Sequence, residues 1–379
     1  MKIVHVCLSC FYIDGFNYQE NQLVREHVSL GHDVTVIAST ENYIDGKLGY
    51  VQPSTYEGSD GAKVIRLPYS GKFPEVVARK LRIHSDFLDR LTAEAPDVVM
   101  FHGVCSWEIR NIVKFSLSNK HVRVWYDTHT DSNNSMMSLP SKLLHKLFYI
   151  PVFKSVSRHI EKVLCISYET RDFLVEKYGY PLERCQFFPL GGEIISDSEY
   201  LSLRSKGRGS LGVSDEHRLF VQTGKMTSRK KLIESLSAFT QLENENIRFV
   251  IAGVFDDEVE AQALKIIESD ARISFLGWCN NEELKELLCS ADFYVQPGTQ
   301  SATMQMSMCM RCAVIIDDVP SHEPYVKGNG WLLNSELTLL DTLKRAAEDE
   351  SLEKLQQNSF VIAQSLLDYT VMARKLIED

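Results

Sequence analysis

Leu219-Phe220-Val221-Gln222-Thr223-Gly224-Lys225-Met226-Thr227-Ser228-Arg229-Lys230 is the stretch whose reading decides the fold of this chain. Its first five residues form an apolar run of the kind found in a strand buried on both faces. A helical pattern follows, with Leu232, Ile233, Leu236 and Phe239 at the spacing of one apolar face. Lys225 and Lys230 therefore fall in the turn where a strand hands over to a helix. In an open α/β sheet that edge, beyond the carboxyl ends of the strands, is where ligands bind. Pro297 to Gln305 repeats the arrangement. A strand, Phe293-Tyr294-Val295, leads into a Pro-Gly turn and then a helix opened by Ser301 or Thr303. Unpaired N–H groups at such a helix start, together with its dipole, favour an anion. Two cations, with Gly224 beside them, and one helix N-terminus at the same sheet edge point to a diphosphate site.

Outward from this stretch the chain alternates strands and helices throughout. Ile3–Ser9 reads as a strand, Cys10–Tyr18 as a loop carrying Gly15, Gln19–Leu30 as a helix and Val34–Ala38 as a second strand. This is one strand-helix-strand unit of a parallel sheet. Residues 40–63 are polar and Gly-rich and read as a long loop. Val64–Leu67 reads as a strand, Pro74–Leu91 as a helix, and Asp97–Gly103 and Val122–His129 as strands. His102 and His129 fall at the carboxyl ends of two of these buried strands. Val163–Ser167, Glu169–Tyr178 and Gln186–Pro189 close the first half. Gly191-Gly192 starts the crossing, and Lys206–Ser210 reads as polar linker before the strand at Leu219. The pattern predicts three parts: a first domain over 1–195, a second over 196–355, and a closing helical segment over 356–379.

Length and composition set the class. A chain of 379 residues is long enough for two domains with separate cores. Charged residues at 24% and hydrophobic ones at 44% are ordinary for a soluble globular protein. A net charge of -10 argues against a nucleic-acid binder, which shows a basic stripe. No apolar run approaches the ~20 residues that span a bilayer. Met1-Lys2-Ile3-Val4 enters a strand without the layout of a signal peptide, which predicts a cytoplasmic protein. Among the nine cysteines, Cys7/Cys10 and Cys309/Cys312 are each spaced C-x2-C, but one pair begins in a strand and the other flanks a helix-to-strand turn. The reading is reduced thiols and no metal site.

One surface carries two readings. Leu143, Leu144, Leu147, Phe148 and Ile150, then Val152, Phe153, Val156 and Ile160, make two apolar faces kinked by Pro151. Lys142, Lys146, Lys154, Arg158 and Lys162 are interleaved. A helix packed in the core with solvated lysines fits this pattern, and so does a basic amphipathic surface on an anionic membrane.

Several pieces in chain order resemble the donor half of retaining family 4 glycosyltransferases with the GT-B fold. They are Gly224-Lys225 through Lys230, Phe249-Val250-Ile251-Ala252-Gly253, Ile273-Ser274-Phe275-Leu276-Gly277, Glu282-Glu283-Leu284 and Ala291-Asp292-Phe293-Tyr294-Val295-Gln296-Pro297. Gly31-His32-Asp33-Val34-Thr35-Val36 and Val163-Leu164-Cys165-Ile166-Ser167 are similar to the family's first half. The resemblance implies two Rossmann-like α/β domains facing across a cleft, the second binding a nucleotide sugar and the first taking the acceptor, with the closing helical segment 356–379 packing back on the first. It implies a UDP-sugar ahead of a GDP-sugar as donor, a glycan or lipid-linked acceptor, and no cofactor. By position, Gly15 lies against the donor diphosphate, His129 contacts the donor sugar and His102 falls on the acceptor side. Lys225, where the family generally has arginine, and Lys230 hold the leaving diphosphate. Gly224, Gln300, Ser301, Thr303 and Gln305 complete the donor set.

The chain departs from the family at one element. The family has a proline, a glutamate four residues on and a second glutamate eight later. Aligning Met306–Val314 on that helix and the next strand puts Met306 at the second glutamate, and neither carboxylate is present. Arg311 stands where the family has glycine. Gln300 and Gln305 can hydrogen-bond hydroxyls but cannot act as bases. Retaining GT-B enzymes are thought to let the leaving phosphate accept the acceptor proton, a route without need of these carboxylates. Three functions stay open at this point: a retaining glycosyltransferase, a catalytically weakened nucleotide-sugar-binding subunit, and a sugar-nucleotide epimerase.

Overall fold

A computed structural model describes residues 1–44, 47–299 and 301–378. The chain divides into two compact units: Met1–Pro189 together with the residues from Met372 onward, and Leu190–Val371. The boundary, expected at 195/196, thus lies six residues further back along the chain. The helix Leu352–Leu366 belongs to the second unit, and only the end of the last helix, Tyr369–Glu378, joins the first.

In the first unit the strands are β1 (Lys2–Cys7), β2 (Asp33–Ser39), β3 (Glu41–Ile44), β4 (Lys47–Tyr50), β5 (Ser54–Glu57), β6 (Lys63–Leu67), β7 (Val98–Phe101), β8 (Arg123–Thr128), β9 (Val163–Cys165) and β10 (Cys185–Phe187). The sheet order is β10-β9-β8-β7-β1-β2-β6-β5, parallel except for the β5–β6 edge. The chain winds outward one way through β2 and β6, then returns to wind the other way from β7. The switch lies between β1 and β7. The second unit holds β11 (Arg218–Met226), β12 (Ile247–Phe255), β13 (Ile273–Phe275), β14 (Phe293–Gln296), β15 (Ala313–Asp317) and β16 (Gly330–Leu333). Their order, β13-β12-β11-β14-β15-β16, is all parallel and switches between β11 and β14. Both sheets are doubly wound, because apolar strand runs buried on both faces need helices above and below.

Three local expectations change. Residues 40–63 form no plain loop: β3 and β4 make a hairpin and β5 pairs antiparallel on the edge strand β6. The predicted helix 74–91 is two, Glu75–Leu81 and Phe87–Glu94, broken where Arg82 and Asp86 adopt left-handed backbone. The expected linker 206–210 lies inside the helix Asp197–Ser210. Its glycines misled the reading, yet Gly207 is required there: an added Cβ would sit 2.1 Å from Ser290 Oγ on the adjacent helix Asn281–Ser290. That helix is further locked by Asp292, buried between Arg204 (2.6 Å) and Arg208 (3.3 Å), whose second oxygen also accepts the Leu219 N–H at 2.8 Å. Breaking a buried pair of this kind is costly, since one charge is left without a partner.

The basic segment is one continuous helical run from Leu139 to Lys154, with a π turn at His145–Tyr149 just before Pro151. Proline has no N–H to give to the turn below, and the wider turn accommodates that loss. Leu144, Phe148, Tyr149, Val152 and Phe153 pack into the core. Leu139, Leu143 and Leu147, four residues apart, stay 81%, 56% and 66% exposed.

Candidate functional site

In the second unit the loops leaving β11 and β14 meet at the switch point. Gly298 comes so close that a Cβ would lie 2.1 Å from the Arg229 carbonyl oxygen. Thr299 donates its N–H to that same oxygen at 3.2 Å, and Lys230 Nζ donates to the Thr299 carbonyl at 2.8 Å. Beneath them Gln222 Nε2 donates to the Lys230 carbonyl (2.8 Å) and Gln296 Nε2 to the Thr299 carbonyl (2.7 Å). Two glutamines on neighbouring strands thus hold the two loops from below. A hydroxyl cluster fills the remaining space. Tyr294 Oη lies 2.7 Å from Thr303 Oγ1 and 3.1 Å from Thr223 Oγ1, and Ser301 Oγ donates to Gln296 Oε1 at 2.5 Å.

These contacts place the expected residues. Ser301 precedes the helix Ala302–Cys309, but its hydroxyl makes no cap to it and turns inward instead. The hydroxyls of Ser301 and Thr303 therefore build the floor, and any ligand contact there falls to the backbone N–H groups of the first turn. Gln305 is buried with its Nε2 on Tyr325 Oη at 3.2 Å, so it faces inward, contrary to expectation. Its Oε1 has no partner among the described residues. Gln300 lies outside the described residues.

The two lysines differ. Lys225 sits on β11 itself, which runs to Met226 beyond the expected turn; its side chain is 68% exposed and its Nζ lies 3.4 Å from Asp256 Oδ2. Gly224 reaches φ +122° and Gly253, its neighbour on β12, φ +138°. A Cβ on Gly253 would stand 1.9 Å from the Gly224 carbonyl, so the strands approach this closely only with glycine at 253, while at 224 the space is open and the backbone angle alone favours glycine. Lys230 is half-buried in the turn Ser228–Lys230. Desolvation, helped by the Arg229 charge, lowers its pKa to about 8. Lys231, which the sequence did not single out, takes left-handed backbone (φ +51°) and pairs with Asp317 at 2.7 Å. Nothing in a run of three basic residues marks which one will pair.

In the first unit the corresponding switch brings together the ends of β1, β7 and β8. Gly103 (φ +84°) leaves only 2.8 Å between a Cβ and Ser9 Cβ, while Gly15 (φ +76°) turns in open space. Asp127, at the end of β8, is the residue the sequence reading missed. A carboxylate two positions before His129, inside an apolar strand, was the available signal. Its Oδ1 accepts the Gly103 N–H at 2.8 Å, and its Oδ2 lies 2.5 Å from His102 Nδ1 and 3.9 Å from His129 Nε2. His129 stands at the rim with its side chain 31% exposed. His102 does not face outward as expected: it is fully buried behind Asp127. Burial pulls the His102 pKa down, but the Asp127 carboxylate outweighs it and lifts it to about 10.

Comparison with known proteins matches both halves. Residues 15–191 match the family described as Glycosyltransferase Family 4, and residues 217–349 the family described as Glycosyl transferases group 1. An uncharacterized glycosyltransferase of Methanocaldococcus jannaschii is 25% identical over 286 residues, which is 71% of this chain and 66% of the relative's own length. A glycosyltransferase from Rickettsia africae superposes with TM-score 0.67 at 13% identity, covering 100% of this chain and 97% of that one. The Anabaena protein HepE, solved with UDP and glucose, gives TM-score 0.61 at 14% identity over 100% and 98% of the two chains. Sucrose-phosphate synthase from Thermosynechococcus elongatus gives 0.65 at 14%, over 100% and 97%.

The Gly298 junction is directly testable. Gly298→Ala is expected to lower the unfolding free energy by ~1–3 kcal/mol, because the carbonyl it strikes belongs to backbone that must shift. Gly209→Ala, in the helix Asp197–Ser210 with nothing within 4 Å of an added Cβ, is expected to be neutral or slightly stabilising. Urea unfolding of the two variants checks the contrast.

Proposed function

Because this chain belongs to the family 4, group 1 glycosyltransferases and has their GT-B fold, we propose that it is a retaining, metal-independent enzyme. Its donor is a nucleotide sugar, a UDP-sugar ahead of a GDP-sugar, and its acceptor a glycan or lipid-linked sugar in the building of a surface polysaccharide or glycoconjugate. The domain roles follow the family: the second unit binds the donor, the first the acceptor. The observation that carries this reading is the junction at the β11/β14 switch. A half-buried lysine and the start of the helix Ala302–Cys309 are held there on one floor by Gln222 and Gln296.

Glycosyl transfer breaks the bond between the anomeric carbon and the donor phosphate, and charge gathers on the leaving diphosphate. Fixed cations and N–H dipoles aimed at that charge lower the barrier. At ~4 Å and an effective dielectric near 20, one ammonium interacts with a phosphate oxygen by ~4 kcal/mol before desolvation. Lys230 and Lys225 are the cations in this reading, with Gly224, Gly15 and the first-turn amides of Ser301–Thr303 lining the diphosphate. His129 meets the sugar. With Met306 where the family places a carboxylate, the leaving phosphate itself takes the acceptor proton. UDP and glucose in the Anabaena protein support a nucleotide-sugar donor.

A peripheral membrane contact forms part of the proposal. Leu139, Leu143 and Leu147 make an exposed apolar row, and Lys142, Lys146, Lys154, Arg158 and Lys162 are exposed around it. Among the described residues no helix is long and apolar enough to cross a membrane. The combination suits a helix lying on an anionic surface that presents lipid-linked acceptors.

Four outcomes follow. Lys230→Ala is expected to lower kcat/KM about a hundredfold (~3 kcal/mol) with the fold intact, and Lys225→Arg to retain activity. In the wild type, kcat/KM is expected to fall as pH rises through about 8, since Lys230 then loses its proton, and Lys230→Arg flattens that limb. Wild-type rates in both Lys225→Ala and Lys230→Ala would displace the diphosphate site. Excess chelator is expected to leave transfer unchanged; loss restored by one divalent ion contradicts metal independence. Sedimentation with anionic vesicles at low salt is expected, weakened by added salt and by Leu143→Glu.

A further inference from the structure

Behind Asp127 a line of buried histidines crosses the first unit. His102 Nε2 lies 3.0 Å from His5 Nδ1, His5 Nε2 lies 3.0 Å from His27 Nδ1, and His27 Nε2 lies 3.1 Å from the carbonyl oxygen of Ala373. All three rings are fully buried. They come from β1, from the helix Gln19–Ser29 and from the end of β7, and the line finishes on the last helix, Tyr369–Glu378. The sequence reading absorbed only His102.

The end groups dictate every proton. A backbone carbonyl only accepts, so His27 carries its proton on Nε2. A neutral His27 then accepts at Nδ1, which requires the proton of His5 on Nε2. A neutral His5 accepts at Nδ1 in turn, which requires a proton on His102 Nε2. At the far end, His102 Nδ1 faces a carboxylate that accepts the Gly103 N–H on its other oxygen. A second proton on His102 makes that contact a donor-to-carboxylate bond, and the chain closes with every ring nitrogen used.

We propose that His27 and His5 are positioning residues: the polarity imposed by the Ala373 carbonyl holds His102 as an imidazolium, which pairs the charge of Asp127 and leaves His129 without an unbalanced carboxylate beside it. The proposal rests on the reading that His129 meets the donor sugar. Burial, then the neighbouring histidines, push His5 well below its ordinary pKa, and burial takes His27 to about 4, so both are neutral at working pH. The other titratable groups facing the line are Cys7 on β1 and Glu20 on the first helix, which act on His102, and His32, which acts on His27.

His27→Leu removes the acceptor for His5. The stable alternative is a His5 that shifts its proton to Nδ1 and donates to His102 Nε2. His102 then keeps a proton on Nδ1 alone and one proton leaves to solvent. Nitrogen-15 imidazole spectra of the full chain at pH 8 test this. The expected wild-type spectrum shows both nitrogens of His102 protonated and Nε2–H tautomers for His5 and His27. In His27→Leu, His102 is expected to change to a neutral Nδ1–H ring. In His27→Gln, whose amide can donate to Ala373 and accept from His5, it is expected to stay doubly protonated. A neutral His102 in the wild type, or an imidazolium that survives in His27→Leu, overturns the proposal; the wild-type spectrum decides even where the leucine variant fails to fold. The rate of transfer is a separate readout: kcat/KM is expected to fall in His27→Leu and to be kept in His27→Gln. Spectra as expected with kcat/KM unchanged in His27→Leu leave the relay standing and remove His129 from the reaction.

Discussion

The packing of Gly298 against the Arg229–Lys230 peptide is the constraint on which the second unit depends. A side chain at that position would occupy the space of a backbone carbonyl. The contact exists because the sheet reverses its winding between β11 and β14, which leaves two adjacent strands whose loops depart toward opposite faces. Any binding geometry at this edge is inherited from that reversal. The Thr299 N–H, the Lys230 ammonium and the side chains of Gln222 and Gln296 then fix the distance between the loops. Buried neutral amides suit this task, since each supplies a donor and an acceptor without the desolvation cost of a charge.

How much of this was legible in the sequence depends on the kind of signal. Strands buried on both faces write themselves as continuous apolar runs, so both sheets and the strand-to-helix turn at Pro297 could be placed from residues alone, whereas the end of β11 was set too early and Lys225 lies on the strand. Helix ends and linkers were less legible. Gly207 and Gly209 look like a flexible link, but the first is a close-packing position under the helix Asn281–Ser290. Arg82 and Asp86 break a helix through left-handed backbone that neither residue type announces. At the site, charges were visible and their partners were not. Lys225 and Lys231 were indistinguishable as letters, yet one pairs at 3.4 Å with Asp256 and the other at 2.7 Å with Asp317. Long-range pairing of that kind is set by topology, not by local spacing.

Arg311 shows how a departure from the family pattern is accommodated. A left-handed residue closes the helix Ala302–Cys309, a place that suits glycine because a Cβ costs ~1–2 kcal/mol there. Here the guanidinium lies 4.3 Å from the Tyr200 ring and 4.1 Å from the Phe360 ring, and it pairs with Asp197 at 2.5 Å. Contacts between a cation and two ring faces contribute enough to offset the backbone strain. The arginine therefore ties the helix Asp197–Ser210 to Leu352–Leu366, so the substitution of glycine adds packing that glycine could not supply.

The two units solve the same topological problem with opposite electrostatics. At the second unit's switch point the charges lie near the surface, and Lys230 is kept partly desolvated where its ammonium donates to the Thr299 carbonyl. At the first unit's switch point the charge is hidden. Asp127 is buried, and the positive charge that balances it sits still deeper, on a histidine whose protonation is dictated through two further rings by a carbonyl on the last helix. A buried carboxylate balanced by a lysine would need an ammonium with three protons to satisfy in the core. Imidazoles need only one donor and one acceptor each, so they can pass the requirement from ring to ring until a backbone carbonyl absorbs it. The helix end that docks on β8 through Trp125 and Arg123 is therefore also the terminus of the first unit's charge balance. Packing and protonation at that edge are one constraint.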